Sequence, residues 1–357
     1  MDDNITHLID AMTTEESEMT EATGRRGRRD RTAADALMMV IVIMGFIGTV
    51  GNAVILYALY ASKQHKKHAL IVNQNALDFC SSLFLVAIYV VHLSPNVRRP
   101  PGVPGYWLCI IFFSESLIWS AVNGSMVNLA IITVDRYLKV VYPAFSRKWI
   151  RPRVIHCAIA FAWFVGIVYN AFSVIFTTKV TPGGYCSSYE NFSSKAAGIF
   201  ANVSYFLFFY VTILCIFIFC YWRILLTIRR QAKVMASHSQ AGPSNASQAQ
   251  SHRIQTNVVK TMVFVSAFYA ISWLPYGIYS SLASVFLPSA SYLDPAAFVT
   301  TILAFIYTAT NPFIYATKFD PVREFLVKMI PCKNPVQPTV VGGAVNAAPR
   351  PATKRGG

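Results

Sequence analysis

The chain contains 357 residues, of which 54% are hydrophobic and 13% charged, and its formal net charge is +15. Soluble domains carry about 25% charged residues, so this composition is typical of a membrane protein. A basic excess in an apolar chain usually marks loops that face anionic lipid. Because the sequence has no Lys/Arg-rich soluble segment, a nucleic-acid partner is not expected.

Residues 1–35 form the first segment and contain no apolar core, so no cleavable signal peptide is expected. The segment holds nine acidic residues and five arginines, a composition that predicts a disordered extracellular tail. Asn4 begins a sequon for N-glycosylation. Asn4 is therefore a candidate glycosylation site.

Seven apolar segments of membrane-spanning length follow this tail. By residue number they cover 36–60, 71–92, 107–140, 155–176, 197–228, 258–286 and 295–317. The sequence therefore predicts an all-α membrane protein, a seven-transmembrane helix bundle within a domain that covers residues 36–331.

The loops that follow spans one, three and five carry most of the basic residues between the spans. They are Lys63, Lys66, Lys67, Arg147, Lys148, Arg151, Arg153, Arg229, Arg230, Lys233 and Arg253. Cytoplasmic loops are enriched in lysine and arginine, so the N-terminus is predicted outside and the C-terminus inside. The arginines near residue 28 oppose this orientation locally, but the loops agree with one another.

A short amphipathic segment follows the seventh span. Its apolar face consists of Phe325, Leu326, Met329 and Ile330. It is predicted to form a helix on the inner membrane surface, in contact with lipids. Cys332, just beyond it, is a candidate palmitoylation site; the alternative is a free thiol. Residues 332–357 are dominated by Pro, Gly, Ala and Val, which predicts a disordered cytoplasmic tail.

Cys109 and Cys186 are the two cysteines that this orientation places on the oxidising, extracellular side. Disulfides form in such compartments, so the two are expected to be bonded to each other. The loop that holds Cys186 also contains Asn191, which begins a second candidate glycosylation sequon.

Asp135 and Arg136 lie side by side at the end of the third span. Charges at membrane depth are costly unless they are paired and near water. With the predicted orientation, the pair marks the cytoplasmic end of this helix, where a partner protein is expected to bind.

Asp78 lies near the middle of span two and has no basic neighbour in sequence. A buried carboxylate needs a proton, a cation or several hydrogen bonds. Ser125 and Asn311 would supply oxygen ligands for a monovalent cation beside it. The alternative is a protonated Asp78 that is hydrogen-bonded to Asn52 and Asn311, and both interpretations stay open.

Together these features resemble the rhodopsin-like (class A) G-protein-coupled receptors over residues 36–331. The motifs that carry the resemblance, each on its proper span, are Gly51-Asn52, Asp78, Asp135-Arg136-Tyr137, Trp163, Tyr221, Trp273-Leu274-Pro275 and Asn311-Pro312-Phe313-Ile314-Tyr315. Cys109, Cys186 and the amphipathic segment complete the pattern. One motif alone is weak, whereas the ordered set is specific.

The resemblance implies a plasma-membrane receptor that promotes nucleotide exchange on a heterotrimeric G protein. Arg136 would be held by Asp135 at rest and would turn toward Tyr221 and Tyr315 as span six swings out. The implied coupling residues are Asp135, Arg136, Tyr137, Pro143, Phe145, Tyr221, Asn311, Pro312 and Tyr315. The implied activation switch consists of Trp273, Pro275 and Tyr269. Asp78, Ser125 and Asn311 would form the pocket of an allosteric sodium ion, and no other cofactor is implied.

Three departures from the family pattern alter these expectations. Asn73-Gln74-Asn75 replaces the usual Asn-Leu-Ala before Asp78, and Tyr307 replaces a small polar residue near the sodium pocket. Cys109 lies two residues farther from Arg136 than in most members, which predicts extra residues outside the start of span three.

The ligand pocket is predicted around Glu115, Ile118, Trp273, Tyr276 and Phe305. Amine receptors carry an aspartate where this chain has Ile118, and opsins carry a lysine where it has Phe305. A small amine and retinal are therefore not expected. Exposed polar loops favour a peptide, and a lipid or another small molecule is the alternative.

Two other classes of function fit the sequence less well. A transporter would usually show internal repeats and several paired intramembrane charges, neither of which the sequence has. An enzyme is not expected either, because no nucleophile and base stand at a catalytic spacing.

Overall fold

The computed structural model describes residues 2–94, 102–180, 186–189, 191–237, 244–286 and 295–329, with only the backbone for 2–31, 187, 232–237, 244–255 and 284. In chain order the elements are α1 (Asp2–Ala61), α2 (Ala69–Leu93), α3 (Gly102–Leu108), the π-helical turn π1 (Cys109–Phe113), α4 (Ser116–Val141), α5 (Pro143–Trp149), α6 (Pro152–Thr177), β1 (Lys179–Val180), β2 (Cys186–Ser187), α7 (Lys195–Phe206), the π-helical turn π2 (Leu207–Val211), α8 (Thr212–Ser237), α9 (Ser244–Phe286), α10 (Pro295–Lys318) and α11 (Asp320–Met329).

Seven helical stretches within the described residues are long and apolar enough to cross a membrane. They are Thr32–Ala61, Ala69–Leu93, Gly102–Val141, Pro152–Thr177, Lys195–Gln231, Thr256–Ala283 and Pro295–Lys318. These bounds lie within a few residues of the predicted ones, because the length of an apolar run is a local property of the sequence. The prediction of a seven-transmembrane bundle is confirmed.

The bundle is apolar on its outside and polar at its centre. Large apolar side chains such as Phe200 and Ile271 face outward and are 75% and 71% exposed. Asn52, Asp78 and Asn311, in contrast, are fully buried. This arrangement suits a lipid surround, in which polar groups must find partners inside the protein. The chain is therefore a multi-pass membrane protein.

Span three does not begin as one regular helix. The π-helical turn π1 is followed by a break at Ser114 and Glu115, and Glu115 has a left-handed φ of 59°. Each turn of π-helix takes up more residues than an α-helical turn. The irregular start of span three thus lies between Cys109 and Arg136, and the extra residues outside the span stay a prediction.

A disulfide joins the start of span three to a short hairpin. Cys109 and Cys186 are bonded, with Cα atoms 5.8 Å apart, which confirms the predicted pairing. Cys186 lies on β2, which pairs antiparallel with β1. The hairpin is thereby held against one end of the bundle, called the Cys109 end below; the opposite end is called the Arg136 end.

The predicted modification sites remain predictions. The side-chain amide of Asn191 donates to the Thr177 carbonyl over 3.0 Å. The side chain of Asn4 lies outside the described residues, as do Cys332 and the tail 332–357. The backbone of α1 is helical from Asp2, where the composition predicts a disordered tail to residue 35.

The predicted amphipathic helix is present as α11. Val322 is buried, and Phe325 and Leu326 pack against the core. The ring of Phe325 lies 6.2 Å from that of Tyr57 in α1. The apolar face of α11 is thus partly used to close the Arg136 end of the bundle.

Candidate functional site

Asp135 and Arg136 are paired at the end of α4, as predicted. A terminal nitrogen of Arg136, Nη2, lies 3.1 Å from Asp135 Oδ2, and the two side chains are only 14% and 4% exposed. Burying an ion pair costs free energy of desolvation, and the attraction between charges at close approach must offset that cost. The Arg136 guanidinium is thereby held by its neighbour.

Lys139 is a third member of this pair that the motif does not include. Its Nζ lies 2.8 Å from Asp135 Oδ1 and 2.9 Å from Oδ2. The signal in the sequence is the spacing of four residues, which puts Asp135 and Lys139 on one helix face. Two cations therefore share one carboxylate, and a buried nitrogen of Arg136, Nε, has no hydrogen-bond partner within the described part of the chain.

The two tyrosines predicted to meet Arg136 lie elsewhere in this structure. The Tyr221 hydroxyl is hydrogen-bonded to Thr133 Oγ1 at 3.1 Å and to Ser266 Oγ at 2.9 Å. The buried Tyr315 hydroxyl has no hydrogen-bond partner among the described residues. Arg136 thus stays with Asp135, and span six is linked through Ser266 to span five.

Two further hydrogen bonds hold α9 at the Arg136 end. The Asn257 amide donates to Asp320 Oδ2 over 2.7 Å, and the Thr261 hydroxyl donates to the Lys318 carbonyl over 2.8 Å. Both acceptors belong to the corner between α10 and α11. An outward movement of span six would break these bonds.

Other predicted coupling residues lie in or beside α5, the helix that follows α4. Pro143 is at the first position of α5, where its fixed φ suits a helix start, and it is exposed. Phe145 is 49% exposed and lies 6.2 Å from the ring of Trp149. Tyr137 packs between Tyr142 and Phe219, with ring centroids 5.7 Å from each.

Asp78 is surrounded by neutral donors at the centre of the bundle. Ser125 Oγ donates to its Oδ1 over 2.6 Å, and the Asn311 amide donates to its Oδ2 over 2.8 Å. Gln74 Nε2 lies 3.3 and 3.4 Å from the two carboxylate oxygens. Asn52, in contrast, donates to Thr308 O, so its expected bond to Asp78 is wrong.

Gln74 is the residue whose role the sequence did not reveal. Its Nε2 also donates to Ser125 Oγ and lies 3.5 Å from the Tyr307 hydroxyl. Its Oε1 accepts from Asn128 Nδ2 over 2.8 Å. Asn128 is in turn held by Asn73, which accepts from Trp163 Nε1 over 2.9 Å. A chain of amides therefore fixes the Gln74 side chain beside Asp78.

These residues do not fit the implied sodium ion. A cation needs oxygen atoms around it, but the Gln74 amide nitrogen lies within hydrogen-bond distance of both Asp78 oxygens and of Ser125 Oγ. Tyr307 is 1% exposed and adds a bulky ring to the same space. The departure at Gln74 thus places a donor where a cation would need acceptors.

The predicted activation switch is a packed aromatic core. Tyr269 is fully buried, and its ring lies 6.4 Å from Trp273 and 5.7 Å from Tyr307. Its hydroxyl donates to the carbonyl of Phe209, inside π2. Pro275 lies within α9 and removes one backbone donor. The hydroxyl that distinguishes Tyr269 from phenylalanine therefore ties span six to span five.

Three residues predicted to line the ligand pocket pack around Trp119. The Trp119 ring lies 6.3 Å from Trp273, 5.5 Å from Tyr276 and 5.7 Å from Phe305. Ile118 is fully buried beside it. Sequence reasoning missed Trp119, although it directly follows Ile118.

Glu115 brings a carboxylate to these aromatic rings. Its Oε2 accepts from Trp119 Nε1 over 3.2 Å, and its carboxylate accepts from the Tyr89 hydroxyl. No basic side chain forms an ion pair with it within the ranges described above. The residue with left-handed backbone after π1 thus carries an acidic group held by neutral donors.

Comparison with known proteins agrees with this architecture. The family model of the 7 transmembrane receptor (rhodopsin family) matches residues 51–315. The chain is 25% identical over 268 residues to melanopsin-A of Gadus morhua (73% of this chain, 46% of that one). It is 27% identical over 208 residues to somatostatin receptor type 5 of Bos taurus (58% and 53%). It thus spans about half the length of these two relatives.

A third relative and a solved structure extend the comparison. Trace amine-associated receptor 1 of Mus musculus is 28% identical over 241 residues (63% of this chain, 68% of that one). The crystal structure of squid rhodopsin has the same fold, with a TM-score of 0.66 and 21% identity over 84% of this chain and 86% of that one. The family model that matches describes receptors, which confirms the expectation that the chain is not an enzyme. The chain belongs to the seven-transmembrane receptors of the rhodopsin family.

Proposed function

We propose that this protein is a plasma-membrane receptor that promotes nucleotide exchange on a heterotrimeric G protein. Its N-terminus would lie outside the cell and its Arg136 end in the cytoplasm. The observation that carries the proposal is the Asp135 carboxylate shared by Arg136 and Lys139, beside the exposed Pro143 and Phe145. Buried charges of this kind in a membrane helix mark function.

The arrangement suggests how coupling would be switched. At rest Asp135 holds Arg136, and Asn257 and Thr261 hold span six against the α10–α11 corner. A ligand that favours the outward position of span six shifts the balance by its differential affinity for the two states. Arg136 would then be free to face Tyr221, Tyr315 and the G protein.

Purified receptor in lipid nanodiscs, mixed with a panel of G-protein heterotrimers, tests this function. Separate peptide and lipid libraries are added, and GTP exchange is measured. We expect ligand-dependent acceleration with at least one heterotrimer. An absence of any acceleration across the panel would contradict the proposed coupling, and activation by lipids alone would contradict a peptide ligand.

The ligand we propose is a peptide that presents a basic group to Glu115. The Glu115 carboxylate has no ion-pair partner within the described part of the chain, and Trp119 and Tyr276 stand beside it with rings 5.5 Å apart. Carboxylates and aromatic faces both attract cations. Peptides offer such a group at their N-terminus and in Arg or Lys side chains.

Replacement of Glu115 with glutamine is expected to raise the half-maximal concentration of a peptide agonist by about 10- to 150-fold, the loss of ~1.5–3 kcal/mol from a hydrogen bond to a charged group. Glutamine keeps an acceptor for Trp119 and Tyr89, so the fold is retained. The measurement is GTP exchange against peptide concentration. An uncharged analogue of the same peptide serves as the control, since its potency should not change; equal potency of the charged peptide on both receptors would contradict the role of Glu115.

Gln74 is proposed to take the place of a sodium ion beside Asp78. Wild-type receptor is expected to melt at the same temperature in sodium chloride and in choline chloride at equal concentration. For Gln74→Leu, the free energy of unfolding is expected to be about 1–3 kcal/mol higher in sodium chloride than in choline chloride. This is the stabilisation that an ion gives at roughly 10 to 100 times its Kd. The variant Q74L/D78N should lose that gain. A sodium effect on wild type, or none on Q74L, would show that Gln74 does not replace the ion.

A further inference from the structure

A cavity of about 150 Å³ opens at the Arg136 end, between the start of α2, the end of α4 and the start of α6. Its polar lining consists of Lys66, Lys67, His68, Arg136, Lys139 and His156, with Asp135 as its acid. A water molecule occupies about 30 Å³ of liquid volume, so the cavity has room for a phosphate-sized anion and a few waters.

The charges in this cavity do not balance. Four of its side chains are basic, and Asp135 is its acidic group. Arg136 and Lys139 already share that carboxylate. Lys66 and Lys67 form no ion pair within the described ranges. The cavity therefore has a surplus of positive charge and unused donors.

His68 is a buried histidine in the lining of this cavity. It is 5% exposed, its Nδ1 has no hydrogen-bond partner in the described part of the chain, and its ring lies edge-on to Phe319 at 5.1 Å. Burial, followed by the charges of Arg136, Lys67 and Lys139, lowers its pKa from 6.5 to about 3. The ring is thus neutral at physiological pH, and it remains able to donate one hydrogen bond.

We propose that this cavity binds a phosphate-bearing anion, supplied either by a lipid headgroup or by a soluble phosphate ester. Lysine and arginine are the side chains that bind phosphate oxygens, and basic pockets between membrane helices suit lipid headgroups. Lys66 and Lys67 are exposed at the rim, and His68 and Arg136, each with an unpartnered buried nitrogen, line the same cavity.

The test uses the purified full-length receptor in nanodiscs, and the readout is its melting temperature. One arm contains phosphatidylcholine with phosphatidylinositol 4,5-bisphosphate, and a second contains phosphatidylserine at the same total charge. In a third arm, inositol 1,4,5-trisphosphate is added to phosphatidylcholine discs. We expect a higher melting temperature with the inositol phosphates than with phosphatidylserine. A rise in the third arm identifies a soluble ester as sufficient, whereas a rise in the first arm alone identifies the lipid headgroup.

The matched variants remove two positive charges each. Lys66→Gln/Lys67→Gln is expected to need about 30-fold more inositol phosphate for half of the melting shift, given the usual contribution of two basic residues near a phosphate surface. Arg147→Gln/Lys148→Gln lies at the same end outside the cavity and should behave as wild type. The proposal is overturned if phosphatidylserine gives an equal shift, if K66Q/K67Q keeps the wild-type response, or if neither phosphate arm shifts the melting temperature.

Discussion

Receptor in which Arg136 is replaced by alanine is expected to lose most of its ligand-stimulated GTP exchange. Among the described residues, Asp135 is the acid that holds the Arg136 guanidinium, and the proposed active state uses this guanidinium to face Tyr221, Tyr315 and the G protein. Hydrogen bonds to charged groups contribute ~1.5–3 kcal/mol, so we expect about 10- to 150-fold slower exchange at saturating ligand. The measurement is GTP exchange on purified heterotrimer at matched receptor amounts.

Two further variants separate a specific role of Arg136 from a loss of charge. Arg147→Ala removes an exposed arginine at the same end of the bundle and should exchange at the wild-type rate. Arg136→Lys keeps the charge but loses the planar fork of donors, so an intermediate rate is expected. Wild-type exchange by Arg136→Ala would refute the central role of this pair in coupling.

Replacement of Gly166 with valine is expected to prevent most of the receptor from reaching a folded state. A Cβ atom on Gly166 would approach the Ser120 carbonyl closely and would lie 2.7 Å from Gly124 N and 3.0 Å from Gly124 Cα. These are backbone atoms of α4, which cannot rotate away as a side chain can. Small residues are what allow membrane helices to pack this closely.

Gly166→Val is expected to lower the free energy of unfolding by at least the ~1–3 kcal/mol typical of overpacking. Gly166→Ala should already lower the melting temperature by several degrees. Monodisperse folded receptor on size-exclusion chromatography is the readout. Gly198→Ala is the matched control, because its Cβ would meet the ring of Phe192 at 3.0 Å, a side chain that can shift. Equal yields for the two alanine variants would refute the close packing of α4 on α6.

The sequence alone determined the features that depend on local runs of residues. Seven apolar segments predicted the spans to within a few residues, since spanning length and hydropathy are local. Cys109 and Cys186 were identified as a disulfide pair, and the ordered motifs identified the family. The adjacency of Asp135 and Arg136 made their ion pair predictable as well.

Tertiary structure decided the contacts between residues far apart in the chain. Ser125 and Asn311 reach Asp78 from 47 and 233 positions away, which fits the prediction, but Gln74 joins them only because α2 turns that face toward α4. In a similar way, Trp119 meets Trp273, Tyr276 and Phe305 from other spans only because the bundle packs these faces together.

The cavity at the Arg136 end was likewise decided by the tertiary structure. Lys67 and His68 precede α2, Lys139 lies in α4 and His156 in α6, and nothing in their spacing predicts a shared volume of about 150 Å³. The rotation of each helix and the distances between helices result from packing over the whole bundle. A sequence motif, in contrast, depends only on residues that are close together in the chain. The sequence therefore determined which helices cross the membrane and which family they form, and packing decided which of their polar groups meet.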